Sequence, residues 1–284
     1  MSPLVAILIA VAMHVTWNLF ARHTRPDAEF LWWAVGGHLL LFAPWTLPAM
    51  AREATDTVTL VGCVTVSSVA LFVYFAALRT AYRRAPVALV YPLARSAPLL
   101  IALVGVVFVG DRLSVLGWTG IIASTFAIVM LGASGRHGET RGALLPAAAL
   151  AACGTTVYSL ADKVAVAQLP GYPAQLGYVS ATYTGAWVLY TLWLRRARGQ
   201  WWPDGHPGMV PLLIGALFIG TGYGLVIGAM RVIPAAYAVA LSNLGIVVAA
   251  LLSVLVFHER EHAAQRLTWA TLLAASLLLI AVQV

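Results

Sequence analysis

Residues 85–110 read APVALVYPLARSAPLLIALVGVVFVG. At about 1.5 Å of rise per residue this stretch is long enough to cross a bilayer as a helix. It carries a single charge, Arg95, about ten residues from its start. It also holds Pro86, Pro92 and Pro98, each of which interrupts a helical hydrogen-bond ladder. An arginine at mid-membrane costs about 2.5–3.5 kcal/mol on insertion scales, so a span that keeps one faces it toward a cavity, a partner or a ligand.

The rest of the chain has the same character. Of its 284 residues 61% are apolar and 10% charged, against about 25% charged in a soluble domain. The expectation is an all-α integral membrane protein, because only helices satisfy the backbone in lipid at this span length. Ten spans can be drawn, at about 3–21, 30–49, 58–78, 86–109, 115–132, 143–162, 174–194, 209–230, 233–257 and 267–283. The start of span 1 has no basic region and no small-residue cleavage site, so it reads as a helix rather than a signal peptide. The net charge of +7 comes mostly from Lys and Arg in short loops. Topology and lipid head groups explain that placement, and nucleic acid is not an expected partner. Cys63 and Cys153 fall inside apolar spans, without metal-ligand spacing. No metal or other cofactor is called for.

The chain repeats itself. Pro86, Arg95 and Gly110-Asp111-Arg112 recur as Pro234, Asn243 and His258-Glu259-Arg260, shifted by 148. Trp17-Asn18-Leu19-Phe20-Ala21-Arg22 is echoed by Tyr158-Ser159-Leu160-Ala161-Asp162-Lys163, shifted by 141. Residues 1–135 and 142–284 therefore read as two copies of a five-helix unit. Five is odd, so the second copy is inverted in the membrane, as in many secondary transporters. Loops after the odd-numbered spans hold twelve Lys and Arg, and the opposite face holds four. The positive-inside rule then places both termini outside the cytoplasm.

Met13-His14-Val15-Thr16-Trp17-Asn18-Leu19, Tyr91-Pro92-Leu93-Ala94-Arg95-Ser96-Ala97-Pro98 and Gly110-Asp111-Arg112-Leu113-Ser114 resemble the EamA repeat of the ten-helix drug/metabolite transporter superfamily. The second copy agrees at Tyr223-Gly224-Leu225-Val226, Ala229-Met230-Arg231 and His258-Glu259-Arg260. The resemblance runs over essentially the whole chain. It implies a proton-coupled or facilitative carrier in the cytoplasmic (inner) membrane, often an exporter of amino acids or other small metabolites. A subgroup similar to this chain is associated with phosphonate utilisation. Many members have cytoplasmic termini, against the charge count here. Relatives with the Tyr-Pro-Leu-Ala-Arg motif often carry an Arg-Glu pair in span 9, where this chain has Ser242-Asn243.

His14, Trp17, Asn18 and Ala21 share one face of span 1, and Thr155, Tyr158, Ser159 and Asp162 share one face of span 6. Such polar stripes face inward, either as interhelical glue or toward a cavity. Arg95 has Tyr91 one turn before it; a guanidinium in a dry pocket suits a carboxylate, phosphate or phosphonate. Acids within spans are scarce, so a coupling proton falls to Asp162, His14 or His38. Asp162 beside Lys163 has a plainer reading as an interfacial ion pair. Gly220, Gly224 and Gly228 make a small-residue ridge whose first reading is close packing. Asp111 and Glu259 read first as acids at helix N-termini, with Ser114 capping span 5.

The expected substrate-binding residues are His14, Trp17, Asn18, Tyr74, Tyr91, Arg95, Tyr158, Asp162, Tyr223 and Asn243, lining one mid-membrane site between the repeats. Arg95 would hold an anionic group of a small-molecule substrate, a carboxylate or phosphonate. A multidrug or cation exporter is the alternative. An intramembrane enzyme would need a nucleophile–base pair, a carboxylate pair or metal ligands within the spans; GxSxG is absent, as is the Walker A of a directly ATP-driven pump. The other partners are the lipid bilayer and, as a candidate, protons; a monomer and a homodimer both fit.

Overall fold

The structure is a computed structural model that describes residues 1–22, 24–25, 28–82, 94–133, 141–256 and 262–284. Among these residues every regular element is helical. We number the helices α1 (Pro3–Arg22), α2 (Phe30–Glu53), α3 (Thr57–Tyr82), α4 (Pro98–Val104), α5 (Val115–Ala133), α6 (Arg141–Val166), α7 (Tyr172–Arg198), α8 (Met209–Ala229), α9 (Ala235–Ser242), α10 (Leu244–Leu255) and α11 (Ala263–Ala281). Gly105–Val109 continues α4 as a π-helical turn. Among the described residues seven helices are long and apolar enough to cross a membrane: α1, α2, α3, α5, α8, the α9–α10 pair and α11. The chain is thus that of a multi-pass membrane protein.

Local chemistry sets the helix ends. Asp56 precedes α3 and accepts the Thr59 amide (3.0 Å), a side-chain N-cap. Donation from Thr59, hydroxyl first and amide second, holds the Asp56 carboxyl below its ordinary range. Ser114 caps α5 through the Gly117 amide (3.0 Å), as the sequence suggests. Gly199 ends α7 at φ 76°, the left-handed conformation in which glycine is least strained. Pro44 and Pro48 lie inside α2 without ending it.

Turns fall within two of the apolar runs. Residues 95–97 form a turn before α4 starts at Pro98. Asn243, at φ −72° and ψ −4°, separates α9 from α10 by a tight turn in which Ile246 N–H bonds to its carbonyl at 2.8 Å. These turns fall at the two positions that the 148-residue shift equates.

The chain packs as two compact units, Met1–Phe72 with Ala161–Arg231 and Val73–Leu160 with Val232–Val284. Each draws on both sequence halves, because the chain passes from one unit to the other within α3, within α6 and again after α8. In the first unit α2 packs against α7 and α8, and α1 against α8. Small residues allow the approach. A Cβ built at Gly37 would meet that of Ala216 at 2.8 Å, and one at Gly177 would strike the Thr46 carbonyl and the Met50 Cβ. Lipid tails are as apolar as leucine, so close packing of this kind, not hydrophobic expulsion, holds membrane helices together. The glycine ridge of α8 serves the same end: Gly220 lies against His38, Gly224 against Tyr172 and Leu176, and Gly228 against Gln175.

In the second unit α5 runs along α11, α4 meets α9, and α11 also contacts α10. Asp111 is 9% exposed and its Oδ2 accepts the Ala235 amide at 3.1 Å. The acid therefore serves the N-terminus of α9, distant in sequence, where its charge offsets the helix dipole.

Candidate functional site

In the first unit one carboxylate organises the polar contacts. Asp162 lies one turn before the end of α6 and is 1% exposed. Three hydroxyls from three other helices donate to it. Ser67 on α3 and Tyr178 on α7 both reach Oδ1, at 2.6 and 2.8 Å. Tyr223 on α8 donates to Oδ2. Ser67 is ten residues into α3, about 15 Å along the axis, so the carboxylate meets α3 far from its end. A buried charge needs such donors, because water is absent to solvate it. Among the described residues Asp162 makes no ion pair; its partners are hydroxyls, and the reading as an ion pair with Lys163 is not what the side chain does.

Sequence reading names Asp162 and Tyr223 for the site, and the structure joins them. Tyr178 and Ser67 are additions. Their signal is indirect: an acid inside a membrane requires donors, and hydroxyl residues in mid-span are the pool that supplies them.

The face of α1 behaves differently. The Asn18 amide donates to the His14 carbonyl (2.7 Å), and His14 Nδ1 lies 2.7 Å from the Ala10 carbonyl. Both side chains thus engage their own helix. The His14 ring also rests near Gly222 of α8. Trp17 stacks on Phe30 with centroids 6.1 Å apart and planes at 12°. Its Nε1 is buried with no hydrogen-bond partner among the described residues. His38 is fully buried, with Nε2 3.3 Å from Ser180 Oγ, which in turn lies 3.2 Å from Thr46 Oγ1. That short chain ties α2 to α7.

In the second unit Tyr74 and Tyr158 meet edge to face, centroids 5.9 Å apart. Ser159, beside Tyr158, is fully buried, and its hydroxyl finds no partner among the described residues. The Asn243 amide donates to the main-chain carbonyl of Arg95 at 3.2 Å. Asn243 is 1% exposed and its Oδ1 accepts no hydrogen bond among the described residues. Residues 148 apart, matched by the sequence repeat, are therefore in direct contact. Tyr91 lies outside the described residues.

The aromatic end of the first unit is built for packing as well as for an interface. Trp32 Nε1 donates to Thr191 (2.9 Å) and Trp33 Nε1 to the Gly205 carbonyl (3.0 Å). Glu29 accepts from Tyr190 (2.6 Å) and pairs with Arg198 (2.9 Å). Trp201 and Trp202 are exposed, as interfacial belt residues are.

No protein-family profile matches the chain, and no curated protein matches it. Among solved structures, one described as "Crystal structure of protein" is similar over 99% of this chain and 98% of its own, with TM-score 0.73 and 21% identity. At that identity the likeness speaks for the fold alone.

Proposed function

We propose that this protein is a secondary transporter of the EamA kind, with ten membrane spans in two inverted five-helix repeats, 1–135 and 142–284, in the cytoplasmic membrane. In this reading it exports a small metabolite bearing a carboxylate or phosphonate, by exposing a mid-membrane site to the two faces in turn. It is not an enzyme. The spans beyond the seven apolar helices come from residues 86–109, α6 and α7.

One observation carries the reading. The turns at residues 95–97 and at Asn243 fall at positions that the sequence repeat equates, and they meet each other through Asn243 and Arg95. Discontinuous helices at matching positions of two inverted repeats mark substrate sites in secondary transporters. The packing partners support the same duplication. Matching the repeats span by span pairs α2 with α7, α4 with α9 and α5 with α11, and each of these pairs is in contact. Arg95 is the cation such a site would offer to an anionic group.

A second reading, export of cationic compounds, draws on the buried Asp162 carboxylate with Tyr178 and Tyr223 against it. Thermal stabilisation of the purified protein by amino acids, organic acids, phosphonates and cationic drugs separates the two, since a bound ligand raises the melting temperature by mass action. Stabilisation by carboxylates or phosphonates, followed by flux of the same compound in proteoliposomes, is the expected result. A response confined to cations overturns the anion assignment, and absence of flux for every stabilising compound overturns transport.

A further inference from the structure

We propose that Asp162 is the group that carries the coupling proton, and that it takes this proton on Oδ2, opposite Tyr223, so that loading changes the tie between α6 and α8. The proposal rests on the transporter reading and adds to it the coupling ion and the residue that binds it.

The two carboxylate oxygens are not equivalent. Oδ1 accepts from both Ser67 and Tyr178, and Oδ2 accepts from Tyr223. An ionised carboxylate is an acceptor only, whereas the acid also donates one O–H. A proton on Oδ1 would therefore have to turn away one of two hydroxyls. Ser67 is 2% exposed and Tyr178 fully buried, so a displaced hydroxyl there would be left without water. A proton on Oδ2 turns away Tyr223 instead, and Tyr223 is the least buried of the three donors. The step balances simply. A proton leaves water, one O–H bond forms at Oδ2, and the carboxylate loses its charge. The hydrogen bond from Tyr223 to Oδ2 is replaced by one from Oδ2–H to the Tyr223 oxygen. The hydrogen bonds from Ser67 and Tyr178 to Oδ1 are kept.

The three hydroxyls sit on α3, α7 and α8, so the consequence is directional. The ties from α6 to α3 and α7 persist through the cycle, and the tie to α8 reverses. Other titratable groups around the carboxylate are few. On α3, Cys63 is one turn before Ser67 and near enough to feel the charge of Asp162. On α7 and α8 they are Tyr178 and Tyr223 themselves. Lys163 follows Asp162 on α6. His14 on α1 approaches α8 at Gly222, next to Tyr223, and His38 on α2 is engaged with Ser180. Among the described residues Asp162 is thus the one carboxylate in this cluster.

The test uses the full-length purified protein without substrate. Infrared difference spectra are recorded between about pH 8 and about pH 4, a range that spans the titration of ordinary and raised carboxyl groups. The expected result is a protonated-carboxyl C=O band that appears together with a tyrosine ring-mode change. Asp162→Asn, which mimics the acid by pairing a donor with an acceptor, should lose the share of the carboxyl band that Asp162 contributes, read as the wild-type-minus-variant difference, together with the tyrosine change. Tyr223→Phe should keep the carboxyl band and lose the tyrosine change, and Tyr178→Phe should keep both. A carboxyl band as intense in Asp162→Asn as in wild type, or a tyrosine change that survives Tyr223→Phe, overturns the proposal. The spectra need no flux. Intact spectra with no transport would refute the transporter reading alone, and transport without these bands would refute the proton site alone.

Discussion

Replacing Gly177 by alanine should weaken the protein, whereas the same substitution at Gly62 should strengthen it. Both glycines are inside helices, so the intrinsic gain is common to both: up to about 1 kcal/mol of helix propensity and reduced unfolded-state freedom. Their surroundings differ. A Cβ at Gly62 meets nothing within 4 Å. One at Gly177 falls on the Thr46 carbonyl of α2 and lies 2.8 Å from the Met50 Cβ. The Met50 side chain can shift, but the Thr46 carbonyl belongs to a helix backbone. Relief therefore requires α2 and α7 to separate by about an ångström, which forfeits dispersion contacts along the interface. It also stretches the hydrogen bond between Thr46 and Ser180, now 3.2 Å. Overpacking of this kind costs about 1–3 kcal/mol. After the intrinsic gain, Gly177→Ala should lose about 1–2 kcal/mol and Gly62→Ala should gain about 0.5–1 kcal/mol. At about 2–4 °C per kcal/mol for chains near this size, thermal unfolding in one detergent should show Gly177→Ala several degrees below wild type and Gly62→Ala slightly above. Adding Met50→Ala should not restore Gly177→Ala, because the carbonyl remains. A Gly177→Ala protein that melts at or above wild type would refute the packing argument.

Arg95→Ala should leave the melting curve near that of wild type and abolish substrate flux in proteoliposomes; undiminished flux would remove Arg95 from the site. Tyr178→Phe deletes one donor to a buried carboxylate while keeping the ring. A hydrogen bond to a charged group contributes about 1.5–3 kcal/mol, so a clear drop in melting temperature is expected, and a protein unchanged within about 0.5 kcal/mol would show that the bond is not formed. A reporter fused after Val284 should be active only outside the cytoplasm, following the excess of Lys and Arg in the loops after odd-numbered spans; a cytoplasmic reporter would reverse the orientation.

Helix positions are legible in this chain because lipid enforces them. An apolar run of about twenty residues has one stable backbone solution, and its ends show as caps such as Ser114 and stops such as Gly199. Side-chain partners are less legible, and the polar stripe of span 1 shows why. His14 and Asn18 share a face, which suggests a common outward target. Yet each finds an acceptor on its own helix one turn back, an outlet open to any short polar side chain in a helix and invisible to periodicity. The Asp162 cluster was half legible for a related reason. Scarcity singles out the carboxylate, because few acids lie within the spans. Scarcity cannot choose its donors, because hydroxyls are abundant. Ser67 and Ser68 are adjacent, and only the helix rotation decides that Ser67 meets Asp162 while Ser68 donates to the Thr182 carbonyl (3.1 Å). Likewise α7 carries Tyr172, Tyr178, Tyr183 and Tyr190, and only Tyr178 reaches the acid.

The contact between Asn243 and Arg95 constrains the proposed inverted repeat more tightly than either sequence copy does. Two positions related by a two-fold axis can touch only where they lie close to that axis. If the repeats are so related, the axis passes beside the bond from Asn243 to the Arg95 carbonyl, at the turns in both segments. The chain has diverged at that point, with a guanidinium on one side and a carboxamide on the other. A symmetric site would present like groups to a ligand from both repeats. In the proposed site Arg95 would supply donors from one repeat, and the Asn243 oxygen, buried and without a hydrogen bond among the described residues, would supply an acceptor from the other. Donors and an acceptor so placed would suit a ligand whose anionic group is accompanied by a hydrogen-bond donor, which a bare inorganic anion lacks and a small metabolite carries.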